Sequence, residues 1–257
     1  NKSEEIRDEI MIAKAFCYAN HCYGAESYIK GFSGYAIELL VIYYGGFLKF
    51  IKAINKSGDT HKQVSGATKS KEKDKDFVGE KIVIDIEKQF KNKKQVMMDL
   101  NSSKLQSPII LIDPTDKNRN ALAALSEDTF NKFKKGADNF LKNPSLEAFE
   151  EKKTDLEKIK KYSIDKKYGF ILLEAVTAKQ EGDIAGSKLL KFYEHLSEEI
   201  EKSFEIKNRG FNYNEKTSAR YFFVVKNRDE IVISGPDIKD KKNVEAFKKK
   251  HKDYFTK

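Results

Sequence analysis

Apolar residues recur at helical spacing at the start of the chain. Ile6, Ile10, Ala13 and Cys17 share one face of a helix when they are placed at 3.6 residues per turn. This pattern predicts a first helix that runs from the cap Ser3 to about residue 20.

The most apolar part of the chain lies at 35–54, where apolar residues are spread around most of a helical circumference. That distribution is typical of a single helix buried in a core. The segment 31–34, Gly-Phe-Ser-Gly, is predicted to be the helix entry, with Ser33 as the N-cap. Within the helix, the apolar run 36–48 contains Glu38 and is shorter than the roughly 18 residues of a membrane span.

The pattern changes in the middle of the chain. Residues 55–76 are mainly Lys, Ser, Thr, Asp and Gly, which predicts a surface insertion rich in lysine. Short apolar runs at 81–86 and 108–112 predict strands. Asp116 can cap a helix over 116–125, and Ser126 can cap another that Asn143-Pro144 closes.

The last third of the chain combines strand and helix patterns. Strands are predicted at 168–176, 219–226 and 230–234, with helices at 187–204 and 243–254. Strands with one helix packed across them are typical of small ferredoxin-like RNA-binding sheets. The fold class is therefore predicted to be α+β.

Composition adds a prior about partners. The 257 residues are 39% hydrophobic and 12% aromatic, which favours a folded chain of one large domain or two ordinary ones. Lys and Arg exceed Asp and Glu by 49 − 40 = 9. This excess favours nucleic acid or phosphate as partner, although a lysine-rich solvated surface explains it equally well. Because the first nine residues are polar, no signal peptide is predicted and a cytoplasmic location is expected.

Candidate chemistry is sparse when the residues are considered alone. Cys17 and Cys22 form no CxxC motif and are predicted to be buried, unreactive thiols rather than metal ligands. Polymerase-type nucleotidyl transfer needs two carboxylates spaced two apart on a strand to hold two Mg²⁺ ions. Asp74 and Asp76 have that spacing but lie in the lysine-rich segment. Asp113 and Asp116 are three residues apart, which is the wrong spacing, and they are interpreted as surface or capping groups. No catalytic residue and no metal site are predicted.

Three segments of the chain carry a family resemblance. They are Lys14-Ala15-Phe16 through Tyr23-Gly24-Ala25-Glu26 to Gly31-Phe32-Ser33-Gly34-Tyr35, then Ile112-Asp113-Pro114-Thr115-Asp116, then Asn143-Pro144-Ser145-Leu146. Together they resemble the archaeal, class I CCA-adding enzymes, tRNA nucleotidyltransferases that build the CCA end of tRNA. The resemblance is strong to about residue 150 and weaker beyond it.

The resemblance implies a domain organisation and an activity. Residues 1–150 would be the mainly helical middle domain, and residues 151–257 a ferredoxin-like or RRM-like RNA-binding domain, expected to be incomplete at its C-terminus. The family's N-terminal catalytic head has no counterpart in the sequence. We therefore expect CCA addition to tRNA with CTP and ATP only when a head, in cis or as a separate chain, supplies the Mg²⁺ site. A homodimer is left open.

The resemblance also implies roles for three residues. Lys14 and Tyr23 match residues that contact the triphosphate of the incoming nucleotide, and Arg119 matches one that selects the base. Without the resemblance, Lys14 would extend its stem over apolar neighbours and Tyr23 would pack in a turn. Arg119 is expected to lie in the first turn of the helix after Asp116. Without the resemblance, it would pair there with Asp113 or Asp116.

The C-terminal aromatic residues leave alternatives open. Rings alternate with cations along this part of the sequence: Phe211, Tyr213, Tyr221, Phe222 and Phe223, with Lys207, Arg209, Arg220 and Lys226. Exposed rings can stack on bases, but more than half are expected in the core. Two other functions remain open: a standalone RNA-binding or accessory protein, and a poly(A) or oligoadenylate polymerase.

Overall fold

The computed structural model describes residues 2–56, 77–78, 81–151, 153–228 and 235–252. Most of the predicted lysine-rich insertion, the predicted strand 230–234 and the end of the last predicted helix lie outside these residues. The chain divides into two compact units, Asn1–Thr154 with Glu181–Ser187, and Asp155–Gln180 with Lys188–Lys257.

The first unit contains five α-helices and a four-stranded sheet within the described residues. The helices are α1 (Lys2–Ala19), α2 (Gly34–Tyr44), α3 (Phe47–Lys56), α4 (Lys93–Asp99) and α5 (Glu127–Lys142). The strands are β1 (Phe77–Val78), β2 (Lys81–Asp85), β3 (Ile109–Asp113) and β4 (Asp116–Asn120). Short 3₁₀ helices lie at Ser102–Leu105 and Leu146–Phe149.

The sheet of the first unit has the order β1-β2-β3-β4, with β2 and β3 parallel and the outer pairs antiparallel. All five residues of β3 are buried. Ile84 and Leu111 pack into the main core, while Val83 and Ile110 pack into a smaller cluster with Val96 of α4. Because both faces of the central strands are covered, their sequences are continuous apolar runs, which is why the pattern predicted β2 and β3.

An aromatic cluster lies at the centre of the first unit. Phe16 of α1 is fully buried, and its ring centroid lies 5.3 Å from that of Phe47 and 5.9 Å from that of Phe133. The rings of Phe140 and Phe149 lie 5.9 and 5.8 Å from it. Helices α1, α3 and α5 are thus joined by contacts to one side chain.

The prediction of one helix over 35–54 is wrong in one respect, because the segment is two helices. Gly45 has φ of 73° and Gly46 has φ of 127°, and the Gly45 N–H donates to carbonyls of the last turn of α2. This left-handed backbone suits glycine, which has no Cβ to clash. Glu9 then accepts the Phe47 N–H at 2.6 Å and stabilises the start of α3.

The helix predicted over 116–125 is also wrong, because β4 occupies its first half. Strand β4 forms a tight hairpin with β3. Its last residue, Asn120, is 4% exposed, and its Oδ1 accepts from the Leu111 N–H at 3.0 Å and the Leu122 N–H at 2.9 Å. The polar segment Asp-Lys-Asn-Arg-Asn carries no strand pattern of its own. Pairing with a buried neighbour decides its conformation.

Replacement of Asn120 by Asp is expected to lower the free energy of unfolding by about 3 kcal/mol. The Asn120 amide group also donates to the carbonyls of Lys104 at 2.8 Å and Ile109 at 3.3 Å. An aspartate would replace these donors by a buried negative charge. Urea denaturation measures the loss, with Asn118→Asp on the same exposed strand as control, for which we expect less than about 0.5 kcal/mol. Equal losses in the two variants would contradict the buried hydrogen-bond account.

The second unit contains helices α6 (Leu156–Asp165) and α8 (Lys241–Lys250), most of α7 (Gly182–Ser203), and strands β5 (Gly169–Val176), β6 (Phe204–Tyr213) and β7 (Ser218–Asn227). Its sheet has the order β5-β7-β6, and both pairs are antiparallel. Strand β7 lies between the two strands that α7 connects, which makes a split β-α-β unit. The α+β class is confirmed.

The start of helix α7 and the presence of strand β6 differ from the prediction. Helix α7 begins five residues before the predicted residue 187, and β6 was not predicted. Half of β6 is exposed, including Glu205, Asn208 and Arg209. An edge strand with one solvated face needs few apolar residues, so its pattern is weak.

Most of the C-terminal aromatic residues are core, as expected. Tyr221 is fully buried, and the ring centroid of Tyr193 of α7 lies 5.6 to 5.7 Å from those of Phe211, Tyr221 and Phe223. Phe222 is 8% exposed and alternates to the other face of β7, where it lies over Gly210. These rings hold the sheet together and are not a row of exposed stacking platforms.

The Tyr221 hydroxyl is expected to ionise late. Burial raises its pKa to about 12, and it donates to the Leu189 carbonyl at 3.1 Å. A pKa raised above the unfolded value of about 10 means that stability contributed by this group is present below pH 10 and is lost towards pH 12. Absorbance at 295 nm should therefore show a tyrosine step near pH 12 that is missing in Tyr221→Phe. The same step in both proteins would contradict the assignment.

Candidate functional site

Lys14 lies on α1 and pairs with a carboxylate of α2. Its Nζ is 2.6 Å from Oε1 of Glu38, and the two side chains are 32% and 43% exposed. An ammonium has three donors, so this pair leaves donors available on the solvent side. Lys14 is thus held at the junction of α1 and α2 with its charge accessible.

Tyr23 reaches the same place from the turn after α1. It forms an isolated bridge with Phe32, which brings the turn back beside the helix entry. A Cβ added at Gly34 would lie 3.1 Å from the Tyr23 hydroxyl and 3.7 Å from Nζ of Lys14. The two side chains predicted to share a role therefore converge on the first residue of α2.

The helix entry itself matches the prediction. Ser33 is the N-cap of α2, and its hydroxyl accepts the Ala36 N–H at 3.1 Å. The first turn of a helix carries a partial positive charge from its N–H groups. Lys14 and Tyr23 are therefore placed at an electropositive helix terminus.

Arg119 lies on strand β4 and not in a helical turn, so that part of the prediction is wrong. Its Nη1 is 3.3 Å from Oδ2 of Asp113, and its side chain is 62% exposed. The pairing partner is Asp113 and not Asp116, whose carboxylate instead accepts the Asn118 N–H. Arg119 therefore lies on an edge strand of the sheet, and most of its side chain is exposed to solvent.

Asp113 is fully buried, which corrects its interpretation as a surface or capping group. Its Oδ1 accepts from the Tyr35 hydroxyl at 2.9 Å, the Thr115 N–H at 2.9 Å and the Thr115 hydroxyl at 2.8 Å. Burial alone would raise the pKa of Asp113, but these hydrogen bonds and the Arg119 charge outweigh it and hold the pKa below its ordinary value. The carboxylate is therefore ionised at neutral pH.

The two groups of residues are linked through consecutive residues of α2. Lys14 and Tyr23 approach Gly34, and the next residue, Tyr35, is hydrogen-bonded to Asp113, which pairs with Arg119. Burial, together with the bond to Asp113, raises the pKa of Tyr35, so it acts as a neutral donor. Two cations, hydroxyl groups and a helix N-terminus suit an anionic ligand with a polar planar group.

Sequence reasoning missed several members of this arrangement. Tyr35 and Thr115 had no predicted role, Gly34 was predicted only as part of the helix entry, and Asp113 was predicted to be a surface or capping group. One signal was present for Asp113: an acidic residue directly after a wholly apolar strand and before a proline. A charge at that position must be compensated, and hydroxyl donors nearby in sequence or space are the natural partners.

The remaining sequence predictions concern metals, thiols and membranes. Within the described residues, no group of three or more His, Cys, Asp or Glu side chains is placed to hold a metal ion. Cys17 and Cys22 are free and buried, and burial raises the pKa of both thiols, Cys22 to about 12. The prediction that both thiols are buried is confirmed, and a raised pKa disfavours the reactive thiolate. Of the helices in the described part of the chain, none combines the length and apolar character of a membrane span.

The comparisons with known proteins show the family of the chain. The family described as tRNA nucleotidyltransferase, second domain, matches residues 8–150, which is more than half of the chain. The chain belongs to this family of tRNA nucleotidyltransferases.

Individual relatives are named more narrowly. The CCA-adding enzyme of Methanocaldococcus jannaschii is 30% identical over 98% of this chain and 52% of its own length. That of Nanoarchaeum equitans is 38% identical over 49% of this chain, and that of Pyrobaculum neutrophilum 27% over 97%. The chain spans about half the length of the first and third of these relatives. The resemblance to the archaeal CCA-adding enzymes is confirmed.

Proposed function

We propose that this chain is the nucleotide-contacting and tRNA-binding part of an enzyme that adds CCA to tRNA 3′ ends from CTP and ATP. The observation that supports the proposal is that Lys14 and Tyr23 converge on Gly34, while the next residue of α2, Tyr35, is connected to Arg119 through Asp113. The names of the relatives supply the reaction.

The chemistry of each residue suits one part of the nucleotide. Lys14 and the Tyr23 hydroxyl offer a point charge and a donor for the triphosphate, beside the helix N-terminus. Arg119 presents its open N–H groups as a planar fork that can pair with a base edge. Cytosine and adenine would be accepted because their edges can form hydrogen bonds with this group. Other bases would be rejected because they would leave its donors without acceptors.

The metal chemistry is assigned to another part of the enzyme. Mg²⁺ would neutralise the leaving pyrophosphate and activate the attacking hydroxyl. Within the described residues, no cluster of side chains is placed to hold it. We propose that a catalytic head, in cis or as a separate chain, supplies the carboxylates.

The remaining partner is tRNA. We propose that residues 1–150 act as the nucleotidyltransferase middle domain and residues 151–257 as the RNA-binding domain. The excess of nine positive charges over the whole chain supports an RNA partner, and the split β-α-β sheet supports its assignment to residues 151–257. Cytoplasm is the proposed location, and a homodimer stays a proposal.

The test of the function is the order of nucleotides added when a catalytic head is supplied. Sequencing of the tRNA 3′ ends should show C, C and then A. Tails of A alone would instead identify a poly(A) or oligoadenylate polymerase. Binding of tRNA without any incorporation would identify an accessory protein.

Replacement of Arg119 by Ala is expected to weaken base selection by about 10- to 100-fold, the effect of losing one bidentate pairing. The readout is the ratio of kcat/KM for CTP to that for UTP in the head-supplied enzyme. Lys117→Ala is the matched control, because Lys117 is an exposed cation on the same strand. Equal losses in the two variants would contradict a specific role for Arg119.

A further inference from the structure

The carboxylate of Asp113 is bonded unevenly. One oxygen, Oδ1, accepts three hydrogen bonds, from Tyr35 and Thr115. The other, Oδ2, is buried and has no hydrogen-bond partner within the described residues, although Nη1 of Arg119 lies 3.3 Å away. A buried charged oxygen is costly unless a cation or donor faces it, so the structure leaves Arg119 as the compensation for Oδ2.

Arg119 combines this contact with a large exposed surface. Its Nη1 approaches Asp113, and its side chain is 62% exposed. Because Oδ2 of Asp113 is buried, loss of Arg119 would leave an uncompensated charge, so the pair contributes to stability. The pairing also fixes the position of one end of a flexible cation, most of whose side chain is exposed.

The position of Asp113 is itself fixed by two separate elements. Thr115 holds the carboxylate from the β3–β4 turn, and Tyr35 holds it from α2. The amide of Gln89 donates to the carbonyls of Asp113 at 3.0 Å and Pro114 at 3.4 Å, which secures the turn. The Asp113 carboxylate is therefore held relative to the start of α2, where Lys14 and Tyr23 converge.

We propose that Asp113 is a positioning residue that fixes the Arg119 guanidinium relative to Lys14 and Tyr23, with Tyr35 holding the carboxylate to α2. This inference rests on the proposed role of Arg119 in nucleotide selection. A guanidinium that is already held in place loses less conformational entropy when the nucleotide binds, which strengthens binding. It also cannot move to form hydrogen bonds with a wrong base, which improves selectivity.

The first test uses the chain alone. ¹⁵N NMR of the arginine side chains reports the rotation of each guanidinium. In the unchanged protein we expect restricted rotation of Arg119, and in Asp113→Asn we expect the fast rotation of a solvated arginine. Asp116→Asn is the control, because it removes an exposed carboxylate from the same hairpin. Arg119 signals that are the same in Asp113→Asn as in the unchanged protein would overturn the proposal.

The second test uses the enzyme supplied with a catalytic head. Asp113→Asn and Tyr35→Phe are expected to raise KM for CTP about 3- to 10-fold, the cost of ordering one long side chain, with kcat changed less than about 2-fold. Tyr43→Phe, on the same helix and equally exposed, is the control for Tyr35→Phe. Tyr35→Phe also keeps the test decisive if Asp113→Asn unfolds.

A double variant separates positioning from a general structural role. If Asp113 acts through Arg119, Asp113→Asn combined with Arg119→Ala should have the KM and selectivity of Arg119→Ala alone. A merely structural Asp113 would add its own defect, and that outcome would overturn the inference. If Arg119→Ala has no effect on selection, the proposed function fails instead. If Arg119→Ala has its effect but neither Asp113→Asn nor Tyr35→Phe changes KM, only the positioning inference fails.

Discussion

The affinity of this chain for tRNA is expected to fall about 10³- to 10⁵-fold between 50 and 200 mM salt, if six to ten phosphates are contacted. Each cation that neutralises a phosphate releases a condensed counterion, and the release is less favourable in higher salt. The chain carries 49 Lys and Arg against 40 Asp and Glu. Titration of labelled tRNA by fluorescence anisotropy at the two salt concentrations measures the effect.

Arg119→Ala is the informative variant in this titration. Arg119 is proposed to contact the incoming nucleotide and not tRNA. The tRNA affinity of the variant should therefore stay within about 2-fold of that of the unchanged chain, a smaller change than the loss of one phosphate contact would cause. Undetectable binding at 50 mM salt would contradict the RNA-binding role of the chain. A large loss of tRNA affinity in Arg119→Ala would contradict the proposal that Arg119 contacts the nucleotide while other residues bind tRNA.

Replacement of Phe16 by Ala is expected to lower the free energy of unfolding by about 3 to 5 kcal/mol. Phe16 is fully buried and its ring lies within 5.9 Å of four other phenylalanine rings, which belong to or follow α3 and α5. Truncation removes buried apolar area and leaves a cavity among large, rigid neighbours that cannot collapse into it. Urea denaturation followed by far-UV circular dichroism measures the loss.

Two companion variants control for the helix itself. Met11 lies on α1 as Phe16 does, but is 62% exposed, so Met11→Ala should change stability by less than about 0.5 kcal/mol. Phe16→Leu keeps much of the volume and should cost less than Phe16→Ala. A loss below about 1 kcal/mol for Phe16→Ala would contradict the central place given to this ring, because fully buried aromatic residues cost several times that.

Much of the local structure was predictable because its causes are local. The 3.6-residue spacing of apolar positions predicted α1, and Ser33 and Ser126 cap the helices that they were expected to cap. The break between α2 and α3 also had a local signal, the Gly45-Gly46 pair, which the apolar pattern on both sides obscured. Periodicity and capping act within one or two turns, so the sequence states them directly.

The sequence by itself determined the α+β class, the family resemblance and the identities of Lys14, Tyr23 and Arg119 as residues to examine. Only the tertiary structure decided that Arg119 lies on a strand, that Asp113 is buried, and that Tyr35 joins them to the helix entry. The reason is physical. β4 has a polar sequence with no strand period, and it is a strand only because β3 offers it backbone hydrogen bonds. Likewise, the charge of Asp113 in the core is compensated locally by Thr115, but also by the Tyr35 hydroxyl, 78 residues away, and by the Arg119 cation, which folding brings to it.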